Sequence, residues 1–348
     1  MLKMTERKKK VLKAIINEYV MTADPIGSRT LARRYEFGVG SATIRNEMAD
    51  LEEMGYLEKP HKSAGRIPSD KGYRFYVDIL MELQKLSKQE QKAIKENYES
   101  KAPEVHEIIE QTSDMLSELT QYTSLILSPH LKDSVFRSLK LVPIDTKHVL
   151  LIIITDIGVQ DRVVSMPEGL NHSELQQITR YLNERLQGLT LSQINEELLN
   201  ELESTLVNRL DGLENRQLDV LYQGLINPGI SKAKVYLGGT TNILEQPEFN
   251  DIHKVKTVLQ VLEREELLYN ILGNISDDTS NVKVTIGQEN DFDEIKNCSM
   301  VTATYQLNNR SIGKIGILGP TRMDYSNVVS VVQLVAQVLS NMLTEQNK

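Results

Sequence analysis

Two short segments near the amino terminus limit what this chain can fold into. The first, SATIRNEM at residues 41–48, has the spacing of a helix with one apolar side and one small, polar, basic side. The second, residues 60–68, is a basic loop that begins and ends with proline, so its backbone has little freedom. A helix that can enter a major groove, beside a basic loop, is typical of a winged helix-turn-helix.

The residues before these segments predict the other helices of such a module. Apolar residues at intervals of three and four predict a first helix over about residues 5–20. The sequence DPIG at residues 24–27 predicts a break. Ser28 and Ser41 are the expected N-caps of a second and a third helix.

The third helix has a predicted inner side and a predicted outer side. Ile44, Met48 and Leu51 lie on one side and should face the core. The other side carries residue types that can meet base edges, since Asn pairs with adenine, Arg with guanine, and the Thr methyl with a thymine methyl. An ordinary solvated helix face is the alternative for this segment on its own. The predicted groove-contact residues are Ser41, Thr43, Arg45 and Asn46.

The loop of residues 60–68 favours DNA binding over a solvated basic hairpin. Ser63, Ala64 and Gly65 make its tip slim. Because the loop is stiff before it binds, it loses little entropy on a phosphate backbone. Its basic side chains can contact phosphates or enter a narrow minor groove. No residue of ligand type lies near His61 at ligand spacing, so no metal role is predicted for it. The residues predicted to anchor the DNA are Arg29, His61, Lys62 and Arg66.

Charge is distributed as expected for a DNA-binding module carried by an acidic body. Residues 1–80 contain 15 Lys and Arg against 11 Asp and Glu, a net charge of +4. Residues 81–348 contain 25 against 37, a net charge of −12. The positive charge is therefore local to the amino-terminal end.

Length and cysteine content indicate a cytoplasmic protein of several domains. A chain of 348 residues is long enough for two or three cores. Cys298 is the only cysteine, which excludes an intrachain disulfide and a cysteine-based metal cage and suits a reducing compartment. The longest strongly apolar run, residues 149–154, is too short to span a bilayer, and no signal-peptide pattern follows Met1. We therefore expect no membrane association.

Strand and helix patterns follow in a mixed order after residue 80. A polar stretch over residues 82–100 predicts a helical connector, and helical patterns recur over 105–120, 173–225 and 326–343. This order predicts a multidomain α+β fold in which a helical segment interrupts a sheet. Strands are predicted at residues 123–127, 136–143, 149–155, 162–166, 235–237, 282–286, 300–306 and 312–318.

Several long motifs resemble those of the HrcA family of heat-inducible transcription repressors. They cover nearly the whole chain, and none of the predicted DNA-reading residues departs from the family pattern. The motifs are PIGS at 25–28, SATIRNEM at 41–48, PHKSAGR at 60–66, GYRFYV at 72–77, YLGGTTN at 236–242, EN at 289–290, CSMV at 298–301 and IGILGPTRMDY at 315–325.

The resemblance implies a domain order and a set of partners. A winged helix-turn-helix would occupy residues 1–80, followed by a helical linker over 81–103. A GAF-like regulatory domain would comprise residues 104–144 and 241–348, interrupted by an inserted α+β dimerisation domain at 145–240. A homodimer would bind double-stranded DNA at an inverted repeat of the CIRCE type upstream of chaperone genes. Its activity would depend on the GroEL chaperonin.

Three features outside the amino-terminal module suggest enzyme or ligand chemistry, and a simpler interpretation is favoured for each. GGTT at residues 238–241 lacks the lysine and the spacing of a P-loop, so a turn is predicted. Asp291, Asp293 and Glu294 lack EF-hand spacing, so an exposed acidic loop is predicted. No histidine lies near Cys298, which is predicted to be a buried small hydrophobic residue. We therefore predict no enzyme activity, no cofactor and no metal.

Two other classes of function compete with the repressor hypothesis. The main alternative is a metabolite-responsive transcription regulator that senses a small ligand in the GAF-like domain. A ligand that raises thermal stability and alters DNA affinity would favour it. A hydrolase with an accessory DNA-binding module is disfavoured, because no catalytic constellation is present.

Overall fold

The computed structural model divides the chain into two compact units and confirms the α+β class. The first unit comprises residues 1–101, 109–126 and 235–342, and the second comprises residues 102–108, 127–234 and 343–348. The structure describes residues 3–61, 64–96, 105–129, 134–166, 172–207, 233–273 and 282–346.

The amino-terminal part of the first unit contains helices around a small antiparallel sheet. A core of buried side chains from α1, α2 and α3 includes Leu12, Ile15, Leu31, Ile44 and Leu51. The elements are α1 (Glu6–Thr22), α2 (Ser28–Arg34), α3 (Ser41–Glu53), β1 (Leu57–Glu58), β2 (Ile67–Pro68) and α4 (Asp70–Phe75), which continues into a π-helical turn (Tyr76–Leu80).

The helix starts differ by one residue from two predictions. Ser28 and Ser41 are the first helical residues rather than N-caps. The N-caps are Gly27 and Gly40, which have extended backbones and whose carbonyl groups accept the first helical hydrogen bonds. In α1, by contrast, the side chain of the N-cap Thr5 accepts the backbone N–H of Lys8 at 3.3 Å.

The connector after the amino-terminal part is only partly helical, which corrects the predicted helical linker over residues 81–103. Residues 81–87 form no helix, and α5 (Lys88–Glu96) follows them. Residues 81–87 are hydrogen-bonded to Ser326. Ser326 Oγ donates to the carbonyl of Glu82 at 2.6 Å, and the Ser326 carbonyl accepts the N–H of Gln84 at 3.4 Å. These bonds replace the intrahelical bonds that a helix would need. Residues 97–104 lie outside the described residues.

A five-stranded sheet with the order β7-β3-β10-β9-β8 forms the centre of the first unit. The strands β8, β9 and β10 pair antiparallel, and Asn308 and Asn309 close the β9–β10 hairpin with positive φ angles. The elements are α6 (Val105–Thr120), β3 (Thr123–Leu127), β7 (Val235–Gly238), α9 (Ile252–Leu262), α10 (Glu265–Gly273), β8 (Lys283–Ile286), β9 (Cys298–Leu307), β10 (Arg310–Pro320) and α11 (Tyr325–Gln346).

Helices cover this sheet. All residues of β3 and most of β9 are buried, although successive side chains of a strand point to opposite faces. In α6, Ser113 Oγ lies 2.8 Å from Ser124 Oγ on β3. In α11, Ser340 Oγ accepts the N–H of Gln306 on β9 at 2.8 Å. The predicted stripe of α11 (Val328, Val332, Val335 and Leu339) is fully buried. By length and composition α11 could cross a membrane, but half of it is buried inside the protein, as in a core helix.

The second unit contains a three-stranded antiparallel sheet with the order β4-β5-β6, packed on helices. Along β5, buried residues alternate with partly exposed ones, so only one face of the sheet belongs to the core. On β4, Leu139 exchanges two backbone hydrogen bonds with the side-chain amide of Asn183 on α7, at 2.6 and 3.0 Å. The elements are β4 (Phe136–Pro143), β5 (His148–Thr155), β6 (Val159–Ser165), α7 (His172–Leu186) and α8 (Glu196–Val207).

Strand pairing does not follow the predicted limits of the insertion at residues 145–240. The strand β4, which the limits assign to the segment 104–144, pairs with β5 and belongs to the second unit. The strand β7, which they assign to the insertion, lies next to β3 in the sheet of the first unit. Chain order alone does not reveal such partners, because a strand pairs across space rather than along the sequence.

Two buried tyrosines pack together where α4 meets the start of α11. The ring centroids of Tyr73 and Tyr325 are 5.7 Å apart, and burial raises the pKa of both phenols. Tyr325 Oη lies 2.6 Å from Ser299 Oγ and donates to the carbonyl of Thr321 at 2.8 Å. Among the residues that the structure describes, none makes a hydrogen bond with the buried Tyr73 Oη.

We therefore expect the same substitution to have different effects at these two positions. Tyr325→Phe should lower the free energy of unfolding by about 1–3 kcal/mol, because it leaves buried partners unsatisfied. Tyr73→Phe should change it by roughly 0.5 kcal/mol or less, since no bond is lost. Urea unfolding of both variants and the wild type measures the difference. Equal losses in the two variants would contradict this account.

Candidate nucleic-acid interface

The third helix presents its predicted outer side to solvent. Ile44, Met48 and Leu51 are buried, as predicted. Arg45 and Asn46 are exposed, while Ser41 and Thr43 are partly exposed. The four predicted groove-contact residues therefore lie together on the accessible part of the first turns of α3.

A buried lysine of α1 binds two carboxylates of α3. Lys8 Nζ lies 2.9 Å from a carboxylate oxygen of Asp50 and 3.0 Å from one of Glu47. Hydrogen bonds with Asp50 and Glu47 raise the pKa of Lys8, so its charge is retained. Arg7 Nη1 lies 3.5 Å from Glu47 Oε1, so two basic side chains of α1 together offset the two acidic charges of α3. Arg45 is the exposed basic residue of this helix. The sequence alone does not predict this pairing, because local spacing does not connect residues of separate helices.

The second helix is tied to α1 in a comparable way. Glu18 of α1 is buried and accepts hydrogen bonds from Arg34 and from Tyr35 Oη, the latter at 3.2 Å. Burial, followed by the charge of Glu18, raises the pKa of Tyr35. Arg29, a predicted anchor, is exposed in the first turn of α2. It is therefore accessible to a ligand on the outer side of the module.

The base of the loop between β1 and β2 packs against the segment that joins α1 and α2. Ile26 and Arg66 exchange both backbone hydrogen bonds, at 2.8 and 2.9 Å. A Cβ atom at Gly65 would lie 2.5 Å from the carbonyl oxygen of Ile26, so this approach requires glycine. His61 is exposed. Lys62, with Ser63, falls outside the part of the chain that the structure describes.

The side chain of Arg66 is bound within the protein rather than directed to solvent. Its Nε and Nη2 lie 2.7 and 2.6 Å from Glu52 Oε2 at the end of α3, and the side chain is 19% exposed. This pair connects the loop to the helix. Arg66 is a predicted DNA anchor, but its pairing with Glu52 is not predictable from the sequence, because the two residues are neighbours only after folding.

The residues of the other candidate sites make ordinary packing and pairing contacts. A Cβ atom at Gly238 would lie 2.5 Å from the carbonyl oxygen of Ser113, so this glycine serves packing. Asp293 pairs with Lys296 at 2.5 Å, and no group of three potential ligands that could hold a metal occurs among the described residues. Cys298 is fully buried, as predicted, and burial raises the pKa of its thiol to about 12.

A cavity of about 410 Å³ lies between α4 and the edge strand β8. Its apolar lining includes Phe292 and Met300, and its charged lining includes Arg74, Lys283 and Asp291. The size is that of a small-molecule pocket. Charges of both signs line it, so it shows no preference for an anion or a cation.

Comparison with known proteins gives a consistent result along the whole chain. The family model described as the HrcA protein C terminal domain matches residues 106–329. The chain is 44% identical over 343 residues to the heat-inducible transcription repressor HrcA of Pelotomaculum thermopropionicum, covering 98% of this chain and 97% of the relative. It is 46% identical over 341 residues to the protein of the same name from Natranaerobius thermophilus, with coverage of 98% and 97%.

The fold also has a counterpart among solved structures. A crystal structure at 2.2 Å resolution, described as a hypothetical protein, aligns with a TM-score of 0.66 at 24% identity. The alignment covers 99% of both chains. It shows that the fold extends over both units.

The pair between Arg66 and Glu52 predicts a measurable coupling. Arg66→Ala and Glu52→Ala should each destabilise the protein, and the double variant should lose less than the sum of the two. Because both groups are partly exposed, the coupling energy should be about 0.2–1 kcal/mol. Urea unfolding of the four proteins of the double-mutant cycle measures it. Additive losses would show that the two side chains do not interact in solution.

Proposed function

The chain belongs to the HrcA family of heat-inducible transcription repressors, and we propose that it binds DNA as a homodimer through a winged helix-turn-helix. The observation that carries the proposal is the exposed, uncrowded face of α3 around Arg45 and Asn46, next to a loop that is connected to the same helix. A recognition helix and a wing need this arrangement. The proposed DNA-binding domain comprises residues 1–80.

Individual contacts follow from the chemistry of the exposed side chains. Asn46 can pair with adenine and Arg45 with guanine, while the Thr43 methyl group can meet a thymine methyl and Ser41 can bond to a base edge or a phosphate. Arg29, His61 and Lys62 are proposed to contact the DNA backbone. Arg66 would reach the DNA only by releasing Glu52, so we propose that its main contribution is to the position of the wing.

The outer face of the sheet in the second unit supports the homodimer. Val142, Val159 and Val163 are 44%, 60% and 56% exposed. In the strand register Val142 and Val163 flank Leu150, and Val159 lies beside Ile154. With the middle-strand residues Leu150, Ile152 and Ile154, these side chains form an apolar surface of the kind that marks an interaction site.

The same face is self-complementary in charge. Ile152 lies in the middle row of the sheet, between Lys140 on β4 and Asp161 on β6, both of them exposed. A two-fold axis that runs parallel to β5 near Ile152 would place Lys140 of one protomer opposite Asp161 of the other. We propose this face as the dimer contact of the inserted domain, with limits near residues 127 and 234 from the division of the chain.

We further propose that the operator is an inverted repeat of the CIRCE type and that activity depends on the GroEL chaperonin, as the family resemblance implies. A two-fold dimer matches an inverted repeat. Chaperonin dependence requires a DNA-competent state of marginal stability, such that a few kcal/mol determine the active fraction. The five-stranded sheet and its helices would be the GAF-like regulatory domain.

A sensor of a small ligand is a second candidate function. The cavity between α4 and β8 favours it, because Arg74 from the proposed DNA-binding domain lines a wall of that cavity. A metabolite that occupies it should raise the melting temperature and change operator affinity together. A panel of metabolites without either effect would remove this alternative.

Substitution of Arg45 tests the proposed reading of bases. Arg45→Ala should weaken operator binding by about 1–3 kcal/mol and relax the preference at particular base pairs. Lys62→Ala is the contrasting variant, since it should weaken binding to all sequences alike and reduce the salt slope by about one. Fluorescence anisotropy with operator variants measures both. Equal weakening of Arg45→Ala on every sequence would make Arg45 a backbone contact.

Substitution of Ile152 tests the proposed dimer face. Ile152→Asp should yield monomers at concentrations where the wild type is dimeric, because it places a carboxylate at the centre of an apolar contact. Light scattering after gel filtration gives the mass. Leu244→Asp is the matched control, since Leu244 is an exposed apolar residue of the first unit, 47% exposed. A dimeric Ile152→Asp protein would place the interface elsewhere.

A further inference from the structure

Two arginines connect the amino-terminal module to the body of the first unit. The first is Arg322, which follows β10 and is 7% exposed. Its guanidinium donates to the carbonyl of Val20 in the last turn of α1. It also donates to Glu248 and to the side chain of Gln246, the latter at 3.2 Å. One side chain thus connects α1 to the segment that follows β7.

The contact with Val20 meets a need that α1 does not satisfy itself. The last carbonyl groups of a helix have no intrahelical partner and carry a partial negative charge. No basic residue of α1 lies in its last turn. Arg322 supplies the missing cation, and Glu248 balances its charge in the buried site. The guanidinium offers five N–H donors in a fixed planar fork, whereas the ammonium of lysine has three on a flexible chain, so lysine is a poor replacement.

The second connection is Arg74, at the end of α4. It donates to the carbonyl of Val284 at 2.7 Å and to Glu289 Oε1 at 2.8 Å. Because β8 is an edge strand, one of its sides has no neighbouring strand, and Arg74 binds a backbone carbonyl of this strand. Nearby, Asp70 accepts the N–H of Gln288 at 3.0 Å. A Cβ atom at Gly287 would lie 2.1 Å from the Asp70 carboxylate, so this close contact also requires glycine.

Two connections at different helices restrict rotation in a way that one cannot. A single contact would act as a pivot, whereas contacts at α1 and α4, with the tyrosine pair between them, define one orientation of the module on the sheet. Neither arginine belongs to the exposed face of α3. Both are bound to carboxylates of the body, Glu248 and Glu289 respectively.

We propose that Arg322 and Arg74 are positioning residues that set the orientation of the DNA-reading helix and so determine which half-site spacing the homodimer accepts. This inference rests on the proposed function, since it requires a dimer on an inverted repeat. In such a dimer the separation of the two recognition helices sets the separation of the half-sites. If the DNA-binding module can rotate on the sheet, the dimer should accept half-sites at other separations. The affinity of one module for a single half-site should not change.

The test compares three duplexes for each protein. These are the inverted repeat, the same repeat with its spacer lengthened by a fraction of a helical turn, and a single half-site. The wild type should bind the lengthened repeat much more weakly than the normal repeat. The ratio of the affinity for the normal repeat to that for the lengthened repeat is the spacing penalty. In Arg322→Gln and in Arg74→Gln this penalty should shrink by about tenfold, because a mobile module can still bind the second half-site. Affinity for the half-site should stay at the wild-type value.

Two further variants separate positioning from a general loss of structure. Arg264→Gln makes the same change at an exposed arginine of the first unit, between α9 and α10, and should keep the wild-type penalty. Glu248→Gln removes the charged partner of Arg322 while keeping the arginine. If Arg322→Gln does not fold, Glu248→Gln and Arg74→Gln give the same comparison.

The outcomes distinguish the two levels of the proposal. Folded variants that lose thermal stability but keep the full spacing penalty would overturn the positioning role. A wild type that binds the repeat no better than the half-site would overturn the proposed dimeric repressor, and the positioning role with it. A reduced penalty in both arginine variants, with an unchanged half-site affinity, is the expected result.

Discussion

The orientation of α3 on α1 is the constraint on which the proposed DNA-binding surface depends. Burial of Ile44, Met48 and Leu51 fixes which side of α3 faces inward, and Lys8 binds the two carboxylates at the rear of the helix. Removing Lys8 would leave the partly buried carboxylate of Glu47 without its close ammonium partner, which destabilises this packing. The packing of α3 against α1 therefore determines which side of α3 is exposed to solvent.

Hydrogen bonds and ion pairs connect α3 to the loop between β1 and β2, and α1 to the body of the first unit. Glu52, at the end of α3, binds Arg66 and so places the loop beside the helix, while the backbone of Arg66 pairs with Ile26. Arg322 then joins the end of α1 to the body of the first unit. The arginine side chain bonds to a carboxylate in the first of these connections and to a backbone carbonyl in the last. The result is one continuous set of contacts from the exposed helix face to the five-stranded sheet.

The positions of helices and strands could be predicted from the sequence better than the pairing of strands and of side chains. The strands at residues 123–127 and 136–143 and the buried stripe of α11 follow from local patterns, and the structure confirms them. The pairing of β4 with β5 was not predicted, because an apolar strand pattern does not specify a neighbour. The outward face of α3 could be deduced from helical periodicity alone. The binding of Arg66 to Glu52 could not, since the same residue type suits a phosphate and a carboxylate equally well.

The most direct test of the account is binding of the purified wild-type protein to three duplexes across a salt series: an inverted repeat, its half-site and a scrambled sequence. The account predicts tight binding of one dimer to the full repeat, and much weaker binding to the other two at the same salt concentration. Equal binding to all three duplexes, with the same steep salt dependence, would contradict it. The protein would then bind DNA through charge alone, without reading bases through α3.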